Sequence, residues 1–273
     1  MDIGGRPFDF THNPGLASQY AVCSSDIVLS KPRHISSEDA ASLPGCTVTA
    51  YQSIERGLEL LRENGVTDGL QGKTVFVPGA LSSTGSIMIQ LLKNQYGVKR
   101  IISTVSTAKI HLVERYLPGY VDQVVDYTVH TRLTDVVPAG SVDFVLNTQW
   151  DLGKTFPLVD PRKGVVISIA SLPHPALLRE MIPDLPFFVF WLLSAAQWYY
   201  AFKLRGTNVK YEFVSGNFGP RETVDKVGEF IALGKVKAVT RTVNIEDLEA
   251  VRQACDQVST GKGGIGKLVV KIP

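Results

Sequence analysis

The stretch Val77-Pro78-Gly79-Ala80-Leu81-Ser82-Ser83-Thr84-Gly85-Ser86 decides how the rest of the chain is read. It follows the apolar run TVFV at 74–77. It precedes SIMIQLLKNQY at 86–96, which is apolar at Ile87, Ile89, Leu91 and Leu92. A buried strand, a glycine-bearing turn and a helix, in that order, open a βαβ unit. Gly79 permits the tight turn, and Gly85 lets helix and strand pack closely. The helix start offers free backbone N–H groups and the positive end of the helix dipole, which suit a pyrophosphate. Ser82 and Ser83 stand where glycines would let the backbone approach a phosphate. Two readings stay open. Their hydroxyls donate to phosphate oxygens, or their Cβ atoms narrow the gap and weaken dinucleotide binding.

Outward from this loop, apolar runs alternate with helical stretches. The runs are IISTV at 101–105, QVVDY at 123–127, DFVLN at 143–147, VVISIA at 165–170 and VKYEFV at 209–214. Val and Ile on both faces suit strands buried on both sides of a parallel sheet. The expected fold is therefore α/β, a doubly wound Rossmann arrangement of six parallel strands. The ends read differently. Extended pieces are expected at YAVC, 20–23, and DIVLS, 26–30. Ser36 to Asp39 opens a short helix that Pro44 and Gly45 end. Asn244, with Asp247 three residues on, starts another helix carrying Ile245, Leu248, Val251, Cys255 and Val258, which Gly261 stops. LVVKI at 268–272 is a last strand.

The 273 residues are 44% hydrophobic and 20% charged, which is enough apolar material for a core and excludes a disordered or fibrous chain. Net charge is +2 with no run of one sign, so nucleic acid is not an expected partner. Cys23, Cys46 and Cys255 form no CxxC pair, so neither a disulfide framework nor a metal site is expected. A reducing compartment follows, and no secretory signal opens the chain, so a cytoplasmic location is expected. The uncharged run LPFFVFWLLSAAQWYYAF at 185–202 reads as a helix buried in the protein or in a subunit interface. Peripheral membrane contact through 186–202, anchored by Trp191, Trp198, Tyr199 and Tyr200, is the less favoured reading. Pro186, Ser194 and Gln197 stand against a span. Tyr199 and Lys203 also satisfy Y-x-x-x-K, but the pair sits in an apolar helix with no serine evidently positioned beside it.

The end of the second strand bears on which dinucleotide would fit. NAD binders carry an acid there for the ribose hydroxyls. This chain has Ser103-Thr104-Val105-Ser106-Thr107-Ala108-Lys109, and no acid before Glu114. Hydroxyls and one lysine suit a 2′-phosphate, so NADPH is the expected cofactor. The competing reading is an ordinary polar loop with a surface lysine.

Taken together, these segments resemble the medium-chain dehydrogenase/reductase superfamily, in its zinc-free quinone-oxidoreductase and enoyl-reductase branch. Gly15 to Val22 resembles the family's G-x-x-A-E-Y strand. Lys31-Pro32, Ser36 to Pro44 and Thr49-Ala50-Tyr51 resemble its entry to the dinucleotide domain. Gly79 to Gly85 with Ile89-Gln90-Leu91 and Lys93, Thr104 to Lys109, and Asp126-Tyr127 resemble its nucleotide-binding positions. Gly234-Lys235, Gly261 and Gly266-Lys267 with Val269-Val270 resemble its closing stretch. Some fungal enoyl reductases serving polyketide synthases have similar Ser/Thr-rich loops.

The resemblance implies three regions. Residues 1–46 are a remnant of a GroES-like substrate lobe. Residues 47–215 form the dinucleotide domain, including the apolar helix 186–203. Residues 216–273 return to the lobe. It also implies that Met1 to Arg6 matches a piece late in the family's N-terminal part. The strands before it, the usual catalytic tyrosine and the usual metal-ligand sites are then missing. Cys46 lies one residue out of register with a zinc ligand of relatives. The implied function is NADPH-dependent reduction of an activated C=C bond in a hydrophobic enone, quinone or polyketide-type enoyl substrate, in secondary metabolism. Gly79, Ser82, Ser83, Thr84, Gly85, Thr104, Ser106, Thr107, Lys109, Tyr127, Asn147 and Ile169 would hold the cofactor. Thr49 and Tyr51 are the weak catalytic candidates. The other readings are a non-redox isomerase, cyclase or dehydratase on the same fold, and an inactive binding protein. A homodimer through the edge strand at 209–214 is an arrangement open to this fold.

Overall fold

Val75 and Val77 point to one side of their strand and Phe76 to the other, and all three are fully buried. That period of two, with no polar face, is what a central parallel strand requires. In the computed structural model, which describes residues 19–20, 24–182, 184–261 and 264–273, it is β1, Thr74–Pro78. The further strands are β2 Arg100–Val105, β3 Gln123–Asp126, β4 Phe144–Asn147, β5 Val165–Ser168 and β6 Lys210–Phe213. They form one sheet in the order β3-β2-β1-β4-β5-β6, parallel throughout. The six expected strands and the doubly wound fold are therefore present.

Two hydrophobic clusters cover the sheet. One joins Val75, Val77, Ile101, Phe144, Leu146 and Ile167 to the helices α1 Ser37–Glu63, α2 Ser83–Asn94 and α6 Arg221–Ala232. The other joins Phe76, Ile102, Val125, Val145 and Val166 to Phe156 and Leu158, and through Tyr200 and Leu204 to α5 Phe187–Lys203. Short helices α3 Ile110–Tyr116 and α4 Pro175–Met181 complete this part. Beyond α6, β7 Thr240–Asn244 and β8 Lys267–Lys271 pair in parallel around α7 Leu248–Ser259. The C-terminal residues reach the segment before and at the start of α1, since Gln19 Nε2 donates to the Pro273 carbonyl at 3.2 Å and Lys271 pairs with Glu38 at 3.1 Å.

Three expectations are corrected. Pro44 and Gly45 do not end a short helix. α1 runs through both, capped by Ser36 Oγ on Asp39 N, because Leu43, Cys46, Val48 and Ala50 are buried along its length. The boundary expected at 46/47 thus falls inside one helix. Asn244 ends β7 rather than starting a helix, and Asp247 is the cap of α7, accepting from Ala250 N at 3.0 Å. DIVLS opens in a short 3₁₀ turn, Ser25–Ile27. The helix expected at 186–203 is present as α5, and this chain covers it on one side only: Phe190 and Leu193 are buried, but most of its aromatic rings are exposed. Among the described residues no helix is long and apolar enough to cross a membrane. Gly15 to Ser18, Ala21 to Cys23 and Met1 to Arg6 lie outside the described residues.

Candidate functional site: the crevice at the β1/β4 switch

Strand order reverses between β1 and β4, so the crevice for a ligand opens beyond their carboxyl ends. The turn from β1 into α2 floors it. Gly79 has φ +78, and a Cβ there would meet Gln149 Nε2 at 2.4 Å. Glycine is needed at that position for its conformation, since the Gln149 side-chain end can swing aside. Ser82 is the N-cap of α2, its Oγ accepting from Gly85 N at 3.1 Å. Ser86 N donates to Ser82 O. Of the four leading amides of α2, those of Ser83 and Thr84 are left for a ligand. The Thr84 side chain is half-buried and makes no hydrogen bond among the described residues.

The expected second-strand contacts are arranged differently from one another. Thr104 is buried and holds the floor of the crevice, its Oγ1 accepting from Gly79 N at 3.0 Å and its carbonyl from Ala80 N at 3.1 Å. Ser106 caps the turn Thr107–Lys109 without a side-chain hydrogen bond. Thr107 Oγ1 donates to Asp126 Oδ2 at 2.5 Å, and Thr128 donates to Asp126 Oδ1 through Oγ1 at 2.6 Å and through N at 2.9 Å. These bonds to the charged form, Thr107's the foremost, hold the Asp126 carboxyl down at about 2. Tyr127 follows with an exposed ring.

Asn147 ends β4 and is buried. Its Nδ2 donates to Ser168 Oγ at 2.9 Å and to Gln149 O at 2.6 Å, tying the ends of β4 and β5 together. Ile169 N donates to Asn147 O, and its side chain packs on the core. Thr148 Oγ1 donates to Pro78 O at 2.5 Å and lies 3.3 Å from Ser82 Oγ, so this turn sits directly over the loop. Trp150 follows, 77% exposed. Sequence reasoning passed over Thr148 and Gln149. The signal was available, because residues just past each strand end line such a crevice.

A strap from the far end of the chain also crosses the loop. Gly266 N donates to Leu81 O at 2.8 Å, Ser83 Oγ to Gly266 O at 2.7 Å, and Lys109 Nζ to Gly264 O at 3.0 Å. Gly266 has φ +63, and a Cβ there would lie 1.7 Å from Val239 O, so only glycine fits. The two catalytic candidates part company. Thr49 Oγ1 donates to Gly45 O and touches Gly216, just past β6, near the strand ends. Tyr51 instead packs edge-on against Phe230 of α6 at 5.6 Å, and burial pushes its hydroxyl above the ordinary tyrosine value.

A depression of about 410 Å³ lies elsewhere, beside Gly140, Pro161 and Val209, which precede β4, β5 and β6. It is at the amino end of the sheet and lined by one ionisable group, Lys203, so it offers little chemistry.

The zinc-binding dehydrogenase family matches residues 121–270, more than half of the chain. The chain belongs to that family. Its place in the medium-chain dehydrogenase/reductase superfamily follows. A 2-methylene-furan-3-one reductase of Solanum lycopersicum is 30% identical over 127 residues, covering 46% of this chain and 29% of that protein. An NADPH-dependent alkenal/one oxidoreductase of Arabidopsis thaliana is 32% identical over 114 residues, covering 42% of this chain and 26% of that protein. The match thus spans less than a third of either relative. The quinone oxidoreductase of Coxiella burnetii has the same fold at TM-score 0.64 and 19% identity, covering 92% of this chain and 65% of that one.

The family's name raises zinc, and the residues do not fit it. Among the described residues no three His, Cys, Asp or Glu side chains gather, and Cys46 is buried within α1. A dinucleotide fits better, on the observation that among the described residues Ser83 N and Thr84 N have no hydrogen-bond partner, over a turn that Gly79 keeps open.

Proposed function

We propose that this family member is an NADPH-dependent reductase of an activated C=C bond, in an enone, quinone or polyketide-type enoyl substrate. The carrying observation is the Gly79–Gly85 turn, with its two unpaired helix amides, placed at the β1/β4 switch. The named activities of the tomato and Arabidopsis relatives support the reading. We further propose a hydrophobic small-molecule substrate, a role in secondary metabolism, a cytoplasmic location, no nucleic-acid partner and no metal.

Ser83 N and Thr84 N would hold the pyrophosphate. Ser106, Lys109 and Tyr127 would surround a 2′-phosphate. NADPH, when bound, supplies a hydride. The protein's part is orientation and exclusion of water. Asn147, tied to Ser168, would wall the space for the nicotinamide, with Ile169, which packs on the core, and Thr49, which lies against Gly216, on its other sides. Tyr51, turned against Phe230, is poorly placed to donate a proton, so water would serve.

A second reading, a non-redox isomerase, cyclase or dehydratase or a plain binding protein, is favoured by one observation. The strap occupies Ser83 Oγ and Lys109 Nζ, two of the groups a dinucleotide phosphate would use.

Titration of the protein with NADPH and NADH by calorimetry tests the pair. Micromolar NADPH and at least tenfold weaker NADH are expected, a difference of about 1.4 kcal/mol. Lys109→Met should remove that preference and leave NADH binding unchanged. No binding of either dinucleotide sinks the reductase reading and favours the second.

A further inference from the structure

Helix α5 is apolar all round, and such a helix belongs in an interior. On its inner side Tyr200 and then Leu204 pack on the cluster over the sheet, while Phe190 and Leu193 are buried nearer α4, whose Arg179 lies over the Phe190 ring. Among the described residues, the ring and cation contacts of the outer stripe of α5 are with neighbours on the same helix. Trp191 is 71% exposed and Trp198 70%, and Phe187, Phe188, Leu192, Tyr199 and Phe202 are all exposed as well. At about 150–250 Å² per large side chain, these seven leave roughly 650–1,100 Å² of surface in water. The largest patch on a typical monomer is about 300–600 Å². One partner's share of a stable protein interface is about 800 Å².

The pattern of the stripe says what covers it. Phe188 and Phe202 lie seven residues either side of Ala195, Trp191 and Tyr199 four, and Leu192 and Trp198 three. Ala195 is itself exposed and sits at the midpoint of Phe187–Lys203. These six positions are therefore symmetric about Ala195 and repeat at heptad spacing, as a helix-packing seam does, with Phe187 lying outside the symmetric set opposite Lys203. A two-fold contact demands a self-complementary patch, in which each residue meets its counterpart's counterpart. No Asp, Glu, Lys or Arg lies between Phe187 and Phe202, so two copies meet without charge repulsion. The small Ala195 at the centre lets the backbones approach. A bilayer is less well matched. Only Lys203 and Arg205 flank the ridge on its C-terminal side, and Lys203 lies over its own Tyr199 ring at 5.6 Å.

We infer that α5 is a homodimer seam, packing antiparallel against α5 of a second copy across a two-fold axis at Ala195. Each Trp191 then meets the other copy's Tyr199, and each Leu192 the other's Trp198.

Light scattering of the full chain in solution tests this. The wild type is expected at twice the mass of one chain, and Ala195→Glu, which sets two carboxylates face to face, at the mass of one. Cross-linking checks the axis without relying on a disruptive variant. With Cys23 and Cys255 changed to serine, Ala195→Cys should form a disulfide-linked pair on oxidation. Ala201→Cys should not, because an antiparallel pairing sets the two copies of that position about 18 Å apart. A monomeric wild type at tens of micromolar overturns the inference, including one that sediments with phosphatidylserine vesicles, which would make the ridge a membrane contact. A dimer indifferent to Ala195→Glu, with equal cross-linking at 195 and 201, also overturns it and moves the interface elsewhere.

Discussion

Asp126 shows how a single residue changes meaning once its neighbours are known. In sequence it is the last residue of a strand and, with Tyr127, a position resembling the family's nucleotide-binding ones. In the fold it gathers Thr107 and Thr128, and their hydrogen bonds bring its carboxyl from the ordinary 3.8 to about 2. A carboxyl whose value is lower in the folded state stabilises the fold fully above 3.8 and loses that contribution as the pH falls through about 2. Thr107→Val removes one of the donors. Its urea midpoint should fall below the wild type's at pH 7, and the gap should shrink steadily between pH 4 and pH 2. A gap that stays constant with pH would mean that Thr107 acts through packing instead. The same residue limits what the sequence could say of the site. Gly79 and Gly85 were legible because a turn and a close approach need glycine locally. The ties from Ser82 to Thr148 and from Ser83 to Gly266, 66 and 183 residues apart, leave no local mark.

At the level of elements, α1 separates what propensity can tell from what packing decides. The strands were legible because Val and Ile on both faces have few other uses. The Pro44-Gly45 pair reads as a helix stop, yet α1 continues through it. The continuation is tertiary: Leu43, Cys46 and Val48 are buried on the core, and Thr47 Oγ1 and Thr49 Oγ1 donate back to Leu43 O and Gly45 O at 2.7 and 3.0 Å. The proline still removes one amide from the ladder, leaving Ala40 O without its helical donor. Pro44→Ala should therefore stabilise the protein, by about 1–2 kcal/mol once the greater freedom of the unfolded chain is set against the restored bond. Chemical denaturation measures it. A loss of stability on this substitution would show that the ring's packing outweighs the missing bond. α5 was legible in the sequence as a helix, and for a related reason no further. Its composition demands burial, but composition does not say whether the covering surface lies in the same chain.

The molecule as a whole is held together through α1. That helix packs on β4, β5, α2 and α6, and its first turns touch β7 and β8. Lys271 reaches back to Glu38, and the Lys267 amide and the strap bind the C-terminal strands to Val239 and to the nucleotide loop. A chain so cross-connected has no seam along which one part could melt before the other. Unfolding should appear in calorimetry as a single transition with equal calorimetric and van't Hoff enthalpies. The α5 seam adds a second condition. If the folded chain is paired and the unfolded chain is not, mass action raises Tm as protein concentration rises. Ala195→Glu should leave one transition, at lower temperature, with Tm independent of concentration. The two observations separate the two claims. Two transitions would break the argument from α1 while leaving the dimer standing. A single transition with Tm independent of concentration in the wild type would keep the cooperative fold and remove the dimer.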